Sequence, residues 1–355
     1  MLKRQDSRRG FLKTMGVTGA ALAFPSLWLP RAFAAESLVV ADYGGSVAPA
    51  LRKAFYDPFE KETGIHVTNV AHESDAVTQF KLAVDSGSHI WDIALVTPDN
   101  VLRLTEGKNY IEPLEIDAAD GKDILPGMLT ANWFGFSVWA AIMAYRTDKF
   151  AQNGPQNWRD YWDVAKFPGR RGMYRSPSCT FEAALLADGV APADLYPIDI
   201  DRAMKSLDKI RDHINVWWSD GAQNTQLLQS GEVDLSDTWN ARALAAIHSG
   251  APVSIVWQGT YSVDGWAIVK GTSKLKQAQQ FVRFCMRPDR QAEYSALTSN
   301  GPSNSKALSM MDPAAAQQLA THPKNLQGLV RQDDAWWGKN YDAANERFQE
   351  WLIGA

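Results

Sequence analysis

The chain of 355 residues holds only two cysteines and six histidines, and each scarcity narrows the field of functions. Cys179 and Cys285 stand far apart with no spacing that demands a bond, so two buried free thiols are expected. His66, His72, His89, His213, His248 and His322 form no helical pair at metal-ligand spacing. No H-E-x-x-H, C-x-x-C, G-x-S-x-G or nucleotide-binding glycine pattern occurs, so neither an enzyme nor a cofactor site has its usual signature. Beyond the first 34 residues no segment approaches eighteen uninterrupted apolar residues, the minimum for a membrane helix. Internal repeats and low-complexity stretches are absent too.

What is present begins at the N-terminus. Ser7, Arg8, Arg9, Gly10, Phe11, Leu12 and Lys13 precede an apolar run from Met15 to Leu29, and Ala32-Phe33-Ala34 follows. A basic start, a short apolar stretch and small residues around a cut make a signal peptide. The paired arginines match the twin-arginine type. Residues 1–34 are therefore expected to be removed after export by the twin-arginine translocase, and the protein to work in the periplasm. The remaining 321 residues carry 30 basic and 39 acidic side chains, a net charge near −9. Such a surface argues against a nucleic-acid partner and suits a cationic ligand. Fourteen tryptophans are unusual for this length; some must be core, but a ligand cleft also uses flat aromatic surface.

Strand-like and helix-like segments alternate through the chain, the pattern of a parallel α/β sheet. Leu38 to Ala41, Ile65 to Val70 and Trp91 to Val96 read as strands. Between the first two, Leu51, Phe55 and Phe59 mark a helix that Gly64 stops. Two stretches look like crossovers between lobes: Trp139 to Tyr145, and Ser254 to Ile268, the latter as a pair of strands around a polar turn. With both as hinges, residues 35–142 plus 258–355 form lobe 1 and residues 143–257 form lobe 2. Ligands of such folds sit between lobes, at the carboxyl ends of strands.

Four segments then carry a family resemblance: ADYGGSVAPALRKAFYDPFEKETGIHV, NWRDYWDVAKFPGRRGMYRSP, WWSDGAQNTQLLQSGEVDLSDTWNAR and GWAIVKGTSKLKQAQQFVRFCMRPDRQAEYS. Together they resemble the extracellular solute-binding family that includes the spermidine/putrescine-type receptors of ABC importers. The resemblance implies a two-lobed periplasmic-binding-protein fold of type II, each lobe a mixed sheet flanked by helices, with the ligand cleft between. It also implies a monomer that is not an enzyme and hands its solute to an inner-membrane ABC permease. Ferric-ion receptors share this architecture but rely on paired tyrosines, and this chain has no Tyr-Tyr.

The family's turn after the first strand matches Tyr43, Gly44, Gly45 and Ser46, with glycines in place of larger polar residues. Its hydroxyl after the third strand matches Thr97, and Asp99 stands where relatives have an aromatic. The resemblance further implies ligand roles for Glu182, Trp239 and the amine-binding Asp264. Desolvating an ammonium group requires a fixed anion, which Asp264 would supply, and aromatic faces attract it. Ordinary alternatives remain beside each role: Asp264 bonded to backbone N–H groups, Asp99 as a helix cap, Tyr43 and Trp239 as core. Arg242 points elsewhere, because a guanidinium clamps a carboxylate and repels a polyamine. It could instead pair with Asp234 or Asp237. A polyamine such as putrescine or spermidine is thus the first ligand class expected, and a zwitterionic ω-amino acid such as 4-aminobutyrate the alternative.

Overall fold

The protein is described by a computed structural model at residues 37–44, 47–72, 76–151 and 153–354. Residues 1–36, on which the signal-peptide reading falls, lie outside the described residues, as do Gly45 and Ser46. Among the described residues, ten strands form one sheet: β1 Ser37–Asp42, β2 His66–Ala71, β3 Ile93–Val96, β4 Trp133–Arg146, β5 Arg171–Tyr174, β6 Ile214–Trp218, β7 Leu235–Trp239, β8 Val253–Ile268, β9 Gly301–Pro302 and β10 Leu329–Arg331. Their order is β2-β1-β3-β8-β4-β7-β5-β6, with β10 added on β8 and β9 on β4. Both ends of the sheet are parallel, β1 with β2 and β3, β5 with β6 and β7. The two middle strands, β4 and β8, run antiparallel to each other and are the longest, at 14 and 16 residues.

That length places the site. One end of β8 pairs with β3, through Gly265 to Ile268, while β4 pairs with β7 through Ala141 to Tyr145. The same two strands therefore belong to both halves of the sheet. The expected polar turn within Ser254 to Ile268 is absent: β8 runs through it, with Ser262 and Asp264 opposite Trp139 and Ser137. Irregularities in the β4–β8 register fall between Gly135 and Ser137 and between Ala141 and Met143, near the changeover. There Gly259 adopts φ +154°, and any side chain on it would meet the Ala141 carbonyl.

Helices cover both faces. A helical run over residues 47–63 (α1) is π-helical across Arg52–Tyr56 and ends at left-handed Gly64. It is followed by α2 Val77–Ser86, α3 Pro98–Thr105, α4 Pro177–Ala187, α5 Ile200–Asp208, α6 Gly221–Ser230, α7 Asn240–His248, α8 Leu275–Cys285, α9 Pro288–Thr298 and α10 Asp334–Ile353. One half of the sheet is packed by Phe55, Phe59, Phe136 and Trp266 on one face and by Phe80, Trp91 and Trp133 on the other. The other half has Trp158, Phe181 and Leu207 on one face and Trp218 and Leu228 on the other.

The C-terminal helix touches both halves of the sheet, lying along α3 of the first. Assigned to lobe 1 by chain order, α10 buries Trp337, Ala344 and Phe348 in the same cluster as Phe181 and Leu207 of the second half. Arg347 bonds Asp201 and Trp351 bonds Asp208, both on α5. Cys179 and Cys285 are buried and free, as expected.

Candidate functional site

At the junction of the two halves, Asp264 of β8 accepts a hydrogen bond from the Tyr43 hydroxyl, at 3.3 Å, and another from the Trp139 side chain. These are side-chain donors, not the backbone N–H groups that an ordinary turn aspartate would use. Burial pushes the Asp264 carboxyl up to about 7, with the neighbouring Asp99 adding to the shift. The Tyr43 hydroxyl is likewise raised well above its ordinary value, by burial first and Asp264 second.

Tyr43 reaches this position because Gly44, at φ +63°, turns the chain directly after β1, its N–H donating to Asp42 at 2.7 Å. A side-chain carbon there would stand 2.9 Å from that of Ala71, so the larger residues of the family's turn would not fit unshifted. Thr97 is the N-cap residue of α3, but its hydroxyl donates to Asp99, at 2.5 Å, instead of capping. Asp99 accepts the first backbone N–H groups of the helix and also lies near Asp264, so the cap and the site roles coincide. Its pKa is raised by burial, against the opposing pull of Thr97 and Arg103.

A third acid, Asp334 at the start of α10, joins this end and is pushed up to about 7 by burial. Arg331 bonds it at 3.5 Å, and Asp99 is among the charges that raise it. Asp264, Asp99 and Asp334 outnumber Arg103 and Arg331, so this end is acidic.

The opposite end is aromatic and cationic. Trp239 stands 5.3 Å from the rings of both Tyr174 and Trp218 and 6.4 Å from Trp139, all edge-to-face. Beside it, Arg242 lies against the first residue of α6: a carbon added to Gly221 would stand 2.5 Å from Arg242 Nε and 3.1 Å from the Trp239 ring. The alternative partners are occupied. Asp234 pairs with Arg170, and Asp237 accepts from the Trp218 indole and the Tyr174 backbone. Among the described residues Arg242 has neither a hydrogen bond nor an ion pair. It also sits in the first turn of α7, so two positive helix ends converge where the guanidinium is. Such a place attracts an anion.

Tyr43, Thr97, Asp99, Trp139, Tyr174, Trp239, Arg242 and Asp264 all keep partial exposure, as walls of a cleft do. Glu182 does not. It is fully buried on α4, its Oε1 taken by the Tyr196 hydroxyl at 2.6 Å and the Trp337 indole at 2.8 Å. Thr97 and Asp99 line a cavity of about 240 Å³ whose other wall is α10, through Trp337 and Tyr341. Sequence reasoning missed Trp139, Tyr174, Asp334 and this helix face. Only Trp139 carried a signal, as the first residue of the expected crossover. No group of acids, histidines or cysteines arranged to hold a metal occurs among the described residues. Nor is any helix there long and apolar enough to cross a membrane.

Residues 54–323 match the family described as bacterial extracellular solute-binding protein. The chain belongs to that family. Membership makes it a periplasmic solute-binding protein of the kind that serves ABC importers, with the periplasmic-binding-protein fold. The gamma-aminobutyric acid-binding protein of Pseudomonas aeruginosa is 34% identical over 324 residues, 89% of this chain and 91% of that one. A solved GABA receptor is 30% identical with a TM-score of 0.81, covering 90% of this chain and 98% of that one. Spermidine/putrescine-binding periplasmic protein 1 of Haemophilus influenzae is 25% identical over 289 residues, 75% of this solute-binding protein and 76% of that one.

Proposed function

We propose that the protein captures a small zwitterionic ω-amino acid of the 4-aminobutyrate class. Its ammonium group would meet Asp264, its methylenes the faces of Trp139 and Trp239, and its carboxylate Arg242. The unpaired Arg242 between two helix N-termini carries this reading, because a guanidinium so placed needs an anion that the described residues do not provide. The acid end suits an ammonium group. A polyamine would bring a second cation toward Arg242, so the first-expected ligand class yields to the alternative. The similarity to GABA-binding relatives supports the same choice.

In this scheme the lobes, 35–142 plus 258–333 and 143–257 plus 334–355, close about β4 and β8 when the ligand bridges them. The closed monomer then docks on its permease, after a twin-arginine leader has delivered it to the periplasm. Calorimetry against 4-aminobutyrate, putrescine, spermidine and glycine betaine tests the ligand class. Heat with 4-aminobutyrate alone is the expected result; heat with putrescine alone would exclude the zwitterion scheme.

A further inference from the structure

Asn240 lies between the Arg242 end of the proposed site and the first half of the sheet. It is the first residue of α7, fully buried, beside Trp239 and two positions before Arg242. Its Oδ1 accepts from the Ala140 N–H of β4 at 2.8 Å, and its Nδ2 donates to the Ser299 carbonyl at 2.7 Å. Those two bonds fix which way the amide faces. Ala140 is the β4 residue just past the β4–β7 pairing, so Oδ1 takes up an N–H that the ladder leaves over. Ser299 closes α9 in the left-handed conformation, at φ +60°, and α9 belongs to the first half, where Tyr294 packs with Phe55 and Phe136. The next residue, Asn300, donates through Nδ2 to the Ser137 hydroxyl at 3.0 Å. Ser137 stands opposite Asp264 across the β4–β8 ladder. A bonded path therefore runs from Arg242 through Asn240, the Ser299–Asn300 turn and Ser137 to the strand position facing Asp264. The strands alone are a poor ruler there, because the β4–β8 register is irregular on both sides of Ala140. At the far end of α7 the contact of His248 with Gln318, at 3.2 Å, is exposed and correspondingly weaker.

We propose that Asn240 is a positioning residue that, through the Ser299–Asn300 turn, sets the gap between Asp264 and Arg242 and so the length of chain the site accepts. The proposal rests on the ω-amino acid reading and adds the element that measures the ligand. Two fixed charges discriminate chain length only while neither can move, and one methylene in a fitted site is worth about 10–200-fold. Ending the β4–β7 ladder needs only Oδ1 of Asn240. The second bond, from Nδ2 to a turn of the other half, is what a spacer requires.

The test is calorimetry of the whole protein, Asn240→Asp and Asn300→Ala against 3-aminopropanoate, 4-aminobutyrate and 5-aminopentanoate. Asn240→Asp keeps the acceptor for Ala140 and loses the donor to Ser299, whereas Asn300→Ala frees the turn from Ser137 without touching α7. In the unsubstituted protein one length should bind at least tenfold more tightly than the other two. In both variants that preference should fall at least fivefold. Equal weakening of all three acids, or an unchanged preference, would reduce Asn240 to ending the ladder and overturn the proposal, as would an unsubstituted protein indifferent to length. Should Asn240→Asp fail to fold, Asn300→Ala decides alone on the same criteria. No heat from the unsubstituted protein with any of the three acids would instead remove the ω-amino acid reading, and hydrogen exchange of the Ala140 amide then judges the spacer. Exchange at least tenfold faster in Asn300→Ala, at an unchanged urea midpoint, upholds it; unaltered exchange overturns it.

Discussion

Asp264 and Glu182 are two enclosed carboxylates with nearly the same dressing and different consequences. Each accepts from one tyrosine and one tryptophan: Tyr43 and Trp139 for Asp264, Tyr196 and Trp337 for Glu182. Burial raises both. Yet Asp264 keeps part of its surface open at the junction of the lobes, while Glu182 has none and is tied to α10. An elevated carboxyl is therefore a poor marker of a ligand site by itself. Open surface set opposite an unpaired counter-charge is the better one.

Substitutions should separate the pair. Trp337→Ala removes a 6%-exposed indole from the second-half core and one donor from Glu182. It should cost about 4 kcal/mol of stability, read as a lower urea midpoint. A loss below about 1 kcal/mol would mean that α10 is not anchored there.

Asp264→Asn should act on binding instead. Loss of the charge partner should weaken 4-aminobutyrate by about 3 kcal/mol, over a hundredfold, without lowering the thermal midpoint of ligand-free protein at pH 8. Unchanged affinity would return Asp264 to a purely structural role.

What the sequence revealed follows from these contrasts. The alternation of strands and helices was legible because Leu51, Phe55 and Phe59 keep helical spacing and Gly64 stops the helix. β8 was read as two strands because Gly259, Ser262, Asp264 and Gly265 interrupt its apolar pattern. Gly259 and Gly265 are small because the Ala141 carbonyl and the Trp133 ring lie against them, and Asp264 is polar because it faces the site, none of which periodicity encodes. The packing of α10 was hidden for a different reason. Chain order put it with lobe 1, and its start does lie against α3 there, but Phe348 also meets Phe181 and Trp217 of the second half. Glu182 was carried over on a loose alignment, and only coordinates show that α10 covers it.

Protonation gives a smaller, graded test of the same pair. The raised Asp264 carboxyl must be ionised to hold an ammonium group, so affinity should fall as pH drops below about 7, approaching tenfold per unit. Stability runs the other way. Asp264, Asp237 and Asp334 are all pushed up to about 7, above the ~3.9 of an unfolded aspartate. Their contribution to ligand-free stability is therefore full below about 4 and lost as pH rises through 7. Affinity that stays flat between pH 5.5 and 8 would show that Asp264 does not titrate against the ligand. The smallest effect belongs to Glu182→Gln, whose amide oxygen can still accept from Tyr196 and Trp337. Affinity should shift less than threefold, under about 0.7 kcal/mol; a large loss would make Glu182 a ligand contact after all.

The decisive measurement replaces Arg242 with methionine and titrates 4-aminobutyrate and putrescine by calorimetry. A zwitterion site loses the amino acid by more than a hundredfold and gains nothing worse than neutrality toward the diamine. Retained affinity for 4-aminobutyrate in that variant would contradict the proposed carboxylate clamp, and with it the assignment of an ω-amino acid as the cargo.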